Sequence, residues 1–172
     1  MSCRKIRDNP VMMTKAASPD SRILIIGFGN AQRRDDGIGP YVIRQLQEAL
    51  GTDNGVRFRS VSQLTIEMAE ELYPASAVIF VDATVEALDG GWRCERLMPD
   101  TASADFRTHH LRPDFLLGMA LAIYQHHPPA WLVAVQGEDF GFGREITFAA
   151  RARAAGAIGK IIETLESIRK KE

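Results

Sequence analysis

The run Arg22-Ile-Leu-Ile-Ile-Gly27 constrains this chain more than any other segment. Its apolar residues are consecutive rather than alternating, so a strand built from them must be covered on both faces. Ala77-Val-Ile-Phe-Val-Asp82 and Trp131-Leu-Val-Ala-Val135 have the same character. Such strands argue against an open antiparallel sheet with one wet face and require helices above and below. Val56–Val61 and Trp92–Leu97 supply two more strand candidates.

Helical patterns fall between these runs. Pro40 suits a first helical turn, and Val42, Ile43, Leu46, Ala49 and Leu50 share one face before Gly51 and Asp53-Asn54-Gly55 stop the helix. Thr65 offers an N-cap for a short helix that Pro74 ends. Pro113 opens a third helix, with Phe115, Leu116, Met119, Ala120 and Ile123 on one face and Pro128-Pro129 closing it. The last helix runs from about Phe148 to Arg169, turning Ile158, Ile161, Ile162, Leu165 and Ile168 inward. Its basic end complements the helix dipole. Strands alternating with helices predict an α/β fold with a mainly parallel, doubly wound sheet. Chemistry in such sheets collects at the carboxyl ends of the strands, above all where strand order reverses. The places to look are therefore after Gly27, after Val81 and after Val135.

The chain has 172 residues, 45% of them apolar, which suits one domain. Residues 1–20 are polar, with Pro10 and Pro19, and read as a tail ahead of a single domain over 21–172; Met12 and Met13 offer alternative starts. With 21 basic against 22 acidic residues, no global charge draws the chain to nucleic acid or to an anionic membrane. No stretch reaches the roughly 20 apolar residues of a membrane helix, and the basic start lacks the apolar core of a signal peptide. The expectation is a cytoplasmic monomer.

Three polar positions stand out. The loop Gly27-Phe-Gly29-Asn30-Ala-Gln-Arg33-Arg34-Asp35-Asp36-Gly37-Ile-Gly39-Pro40 begins like a dinucleotide fingerprint, but Gln32 stands where the third glycine belongs. Adjacent carboxylates at a helix entrance repel phosphate and favour a cation; the plain alternative is that Asp35 or Asp36 caps the helix. Asp82 ends an apolar strand, where a carboxylate needs a hydrogen-bond partner, a metal or water. The pair His109-His110 stands in a loop just before the third helix. Two carboxylates and one imidazole suit a divalent transition ion with open positions. His126-His127, at a helix end, serves the dipole in the plainer reading. Gly137-Glu138-Asp139-Phe-Gly-Phe-Gly143 either lines a substrate groove or is a solvated loop. Arg33 and Arg34 grip a substrate or face water. No Ser/His/Asp triad or His-Glu-x-x-His stands out, and Cys3 in the tail and Cys94 in a strand are poor nucleophiles.

Ile-Leu-Ile-Ile-Gly-Phe-Gly-Asn-Ala-Gln-Arg-Arg-Asp-Asp-Gly-Ile-Gly-Pro resembles the opening signature of the [NiFe]-hydrogenase maturation endopeptidases. Val-Ile-Phe-Val-Asp82-Ala is similar to that family's second acidic segment, and Thr-His109-His-Leu-Arg-Pro to its histidine segment. The resemblance runs in order from Arg22 to the last helix. It implies a three-layer sandwich whose five-stranded sheet has one antiparallel strand, with helices on both faces. It also implies an endopeptidase that removes the C-terminal extension of a [NiFe]-hydrogenase large-subunit precursor after nickel insertion. The nickel is carried by the precursor, with no permanent organic cofactor, and the family's nickel-contacting residues map onto Asp36, Asp82 and His109. His110, adjacent to Leu111, is the weaker match. Ser60-Val-Ser-Gln63-Leu64-Thr65 departs from the Gly-Gly-Thr-type loop of some members and points to a different branch. The competing readings are a nucleotide-binding α/β domain and a non-catalytic chaperone for the nickel-loaded precursor.

Overall fold

The computed structural model describes residues 20–51, 55–100 and 111–170. The expected tail up to residue 19, the turn at Asp53-Asn54, most of the loop after Met98, and both His109 and His110 lie outside the described residues. Five strands, β1 (Asp20–Phe28), β2 (Val56–Val61), β3 (Ala75–Thr84), β4 (Trp92–Leu97) and β5 (Ala130–Gln136), form one sheet in the order β2-β1-β3-β5-β4. β1 pairs parallel with β2 and β3, and β3 parallel with β5; β4 runs antiparallel to β5. The α-helices among the described residues are α1 (Ile38–Leu50), α2 (Ala69–Leu72), α3 (Pro113–Tyr124) and α4 (Phe148–Arg169).

The consecutive apolar residues of β1 divide between two cores, as the pleat requires. Ile23 and Ile25 pack with Ile79 and Val81 against Val42, Ile43 and Leu46 of α1 and Ala154, Ile161 and Leu165 of α4. Leu24 and Ile26 pack with Val78 and Phe80 against Met68 and Leu72 and against Leu116, Leu117 and Ala120 of α3. The result is the three-layer arrangement with helices on both faces and one antiparallel strand.

Helix faces were legible except at their margins. Ala49 is exposed rather than inward, and Ile123 is 55% exposed, since both lie near helix ends beyond the buried stripe. Thr65 precedes a 3-10 turn (Ile66–Met68) and makes no side-chain capping bond, so the short helix there is a turn followed by α2.

The glycines of the first loop let α1 begin almost in contact with the sheet. A Cβ on Gly39 would lie 2.3 Å from the carbonyl oxygen of Phe28 and 2.8 Å from that of Val81. One added methyl would thus strike backbone on both β1 and β3. These strands are where the order reverses, because β2 lies on one side of β1 and β3 on the other. Gly39→Ala is expected to cost about 2–3 kcal/mol through overpacking, lowering the melting temperature by roughly 5–10 °C. An unchanged melt would show that the helix can back away freely.

Candidate active site

Between β1 and α1 the chain makes a loop and a 3-10 turn, Arg34–Gly37. Gly29 sits at φ 132°, and a Cβ there would lie 1.9 Å from the Asp36 carbonyl oxygen, so the loop closes on itself only with glycine at this position. Arg34 adopts φ 43°, uncommon for a residue with a side chain. Its N–H donates to the Gly143 carbonyl (2.9 Å), and the Gly143 N–H donates back to Gln32 (2.9 Å). The loop after β5 therefore pairs with the loop after β1.

The adjacent aspartates part company here. Asp35 is 0% exposed. Its Oδ2 accepts from the N–H groups of Glu138 (2.8 Å) and Asp139 (3.1 Å) and from the Thr147 hydroxyl (2.9 Å). Its Oδ1 accepts from the Thr147 N–H (2.7 Å). Burial pushes this carboxyl upward, but the hydrogen bonds together outweigh it and hold the group below the ordinary range. Thr147 in turn caps α4, its Oγ1 accepting from the Ala150 N–H. Neither Asp35 nor Asp36 caps α1.

Asp36 turns to the other side. Its Oδ2 accepts from the Asn30 N–H (2.9 Å), and it lines a cavity of about 300 Å³ together with Asp82. Phe28, Gln63, Leu64 and Leu111 contribute to the same wall. Gly27 of β1 is in register with Val81 of β3, so the cavity opens one step beyond, at the switch point of the sheet. Asp82 Oδ1 accepts from the Ala83 N–H (2.8 Å). One oxygen of each carboxylate thus has no hydrogen-bond partner among the described residues. Burial pushes the Asp82 carboxyl up to about 7, with repulsion from Asp36 adding to the rise and the Ala83 N–H opposing it. Two partly buried carboxylates share this cavity, and their mutual repulsion adds to the cost of charging Asp82. No cluster of three His, Cys, Asp or Glu side chains suited to a metal occurs among the described residues. His109 lies outside them, two positions before Leu111 in the sequence.

The other marked residues stand apart from this cavity. Arg33 Nε donates to the Phe140 carbonyl (3.1 Å), Arg34 pairs with Asp139, and Glu138 pairs with Arg153. The two arginines lock the loops after β1 and β5 together, the Glu138 pair ties the second loop to α4, and neither Glu138 nor Asp139 lines the carboxylate cavity. His126 stands edge-on to the Tyr73 ring, and His127 Nδ1 lies 3.0 Å from the Pro128 carbonyl oxygen. Cys94 is half-buried on β4, and burial raises its thiol above the ordinary value, which opposes a nucleophilic role. Sequence reasoning missed the inward role of Asp35, whose partners are more than 100 residues away.

No family model and no curated protein sequence matches the chain. Solved structures do. The hydrogenase maturating endopeptidase HybD from E. coli is 22% identical, with a TM-score of 0.66 over 85% of this chain and 93% of that one. The [NiFe] hydrogenase maturation protease HycI from Thermococcus kodakarensis is 22% identical, with a TM-score of 0.64 over the same shares. The hydrogenase 2 maturation peptidase from a Thaumarchaeota archaeon is 22% identical, with a TM-score of 0.61 over 84% of this chain and 98% of that one. The chain has the fold of the hydrogenase maturation peptidases. Within this maturation-peptidase fold, Asp36 and Asp82 meet at the switch point, and Gly27 and Gly39 allow the contact between α1 and the sheet.

The two acidic residues of the first loop and the strand end make opposite predictions for stability. Asp82 has a folded-state value above its unfolded one, near 3.9, so stability falls as pH rises between the two and the penalty is complete above about 7. Asp82→Asn is therefore expected to melt higher than the parent at pH 8, with the difference vanishing towards pH 4. Asp35, held low, stabilises the fold above the ordinary carboxyl range and loses that contribution as pH falls. Asp35→Asn turns an amide NH2 towards donors and is expected to cost about 2 kcal/mol at pH 8. Thermal melts of both variants across pH 4–8 check the signs; shifts in the same direction at pH 8 would contradict this division of roles.

Proposed function

We propose that this protein is an endopeptidase that removes the C-terminal extension of a [NiFe]-hydrogenase large-subunit precursor after nickel insertion. The observation that carries this reading is the meeting of Asp36 and Asp82, each with an uncommitted oxygen, in one cavity at the switch point of a maturation-peptidase fold.

In this reading nickel is part of the substrate and arrives with the precursor. Asp36 and Asp82 contribute one oxygen each, and His109 the third contact. The proton that the empty cavity keeps on Asp82 up to about pH 7 leaves when the cation arrives, so capture is favoured above that pH. The precursor's nickel, once held, polarises the scissile carbonyl or activates a water beside it. A neighbouring carboxylate accepts the proton released on attack. Requiring the metal at the cavity links cleavage to a completed metal insertion. The wall formed by Ser62, Gln63 and Leu64 comes from the stretch that departs from the Gly-Gly-Thr-type loop.

Intact-mass analysis of the precursor, with and without loaded nickel, tests this directly. The expected result is loss of a C-terminal peptide only from the nickel-loaded sample. Asp36→Asn, Asp82→Asn and His109→Ala are each expected to slow cleavage at least 100-fold while the protein stays folded. Full cleavage by all three variants would refute the mechanism, and a stable complex without cleavage would make the protein a chaperone for the loaded precursor.

A further inference from the structure

A second surface lies where the loop after β5 enters α4. A groove of about 610 Å³ is lined by Arg34, Arg144, Glu145, Ile146, Phe148 and Arg151. Phe148 is 89% exposed, and so is Phe142 next to the groove-lining Gly143. Arg34 is paired with Asp139. Arg144 and Arg151 make no ion pair among the described residues; the Arg151 side chain donates through Nε to the Ile146 carbonyl oxygen (3.1 Å).

The backbone under these side chains is firmly tied. The Gly141 N–H donates to Asp139 Oδ1 (2.8 Å), and Gly143 exchanges bonds with Gln32 and Arg34 on the neighbouring loop. Thr147, immediately before Phe148, is held by Asp35 and caps α4. Two phenylalanines are thus displayed to water from anchored positions, beside two guanidinium groups without acidic partners. Pre-anchored aromatic and arginine side chains are the residues that carry binding energy at protein interfaces. Water is a poor environment for both rings, and the unpaired cations call for carboxylates.

We propose that this surface docks an acidic segment of the hydrogenase precursor, in which carboxylates flank an apolar side chain. The apolar group covers Phe142 and Phe148 while its acidic neighbours pair with Arg144 and Arg151. The inference rests on the precursor being this protein's partner, as proposed above. The surface belongs to the same loop pair that carries Asp36, so a precursor held there is held on the piece of structure that presents the cavity.

The nickel-free precursor separates docking from cleavage. Calorimetric titration of wild-type protein with nickel-free precursor is expected to show binding that weakens as salt rises. Arg144→Glu/Arg151→Glu and Phe142→Ser/Phe148→Ser are each expected to weaken it at least tenfold, with melting temperatures unchanged because all four side chains lie outside the core. On nickel-loaded precursor the same variants should raise KM by a similar factor and leave kcat within about twofold. Wild-type affinity in both variants would overturn the docking surface while leaving the peptidase reading intact. Lost affinity in the variants, with no cleavage of loaded precursor by the wild type, would support the surface and refute the peptidase. Absence of any binding by the wild type would overturn the surface as a dock for this partner.

Discussion

Asp35 is fully buried, and four donors from two distant stretches of chain converge on its two oxygens. An isolated carboxylate in that position would carry a large desolvation penalty. Satisfied by backbone N–H groups and a hydroxyl, it becomes a junction instead. Through it the loop after β1, the loop after β5 and the cap of α4 are fixed to one another. Asp36, the next residue, is thereby left lining the cavity with Asp82, which stands two residues before the end of β3. Two neighbouring side chains of identical chemistry thus occupy different environments, Asp35 inside a hydrogen-bonded junction and Asp36 in the wall of the cavity.

That division explains what was legible in the sequence and what was not. The strands were readable because β1, β3 and β5 are buried on both faces, which leaves uninterrupted apolar runs. The alternation of strands and helices pointed to the carboxyl edge after β1, β3 and β5, and the strand order singles out the place between β1 and β3. The first loop was recognisable as a signature, yet nothing local distinguishes Asp35 from Asp36. The hydrogen-bond partners that decide between them stand 103 to 112 residues further along. Ile123 was misplaced for a related reason, since periodicity gives a stripe but does not say where the neighbouring layer ends. The glycines that imitate a nucleotide fingerprint turn out to permit contact between backbone atoms, visible only once α1 and the sheet are placed together.

The cavity at the switch point is unfavourable by itself. Asp82 is held in a half-buried place where its charged form is disfavoured, and the Asp36 charge nearby makes this worse. Such an arrangement lowers the stability of the protein at neutral and alkaline pH. The two cores on either face of the sheet surround this cavity.

The central claim is that both carboxylates contact the metal of the bound substrate. Nickel K-edge absorption of the complex between this protein and a nickel-loaded precursor whose cleavage site has been blocked tests it most directly. The account predicts added oxygen scatterers in the nickel shell relative to the free precursor, lost in an Asp36→Asn/Asp82→Asn variant that still forms the complex. A nickel shell identical in the free precursor, the wild-type complex and the variant complex would contradict it.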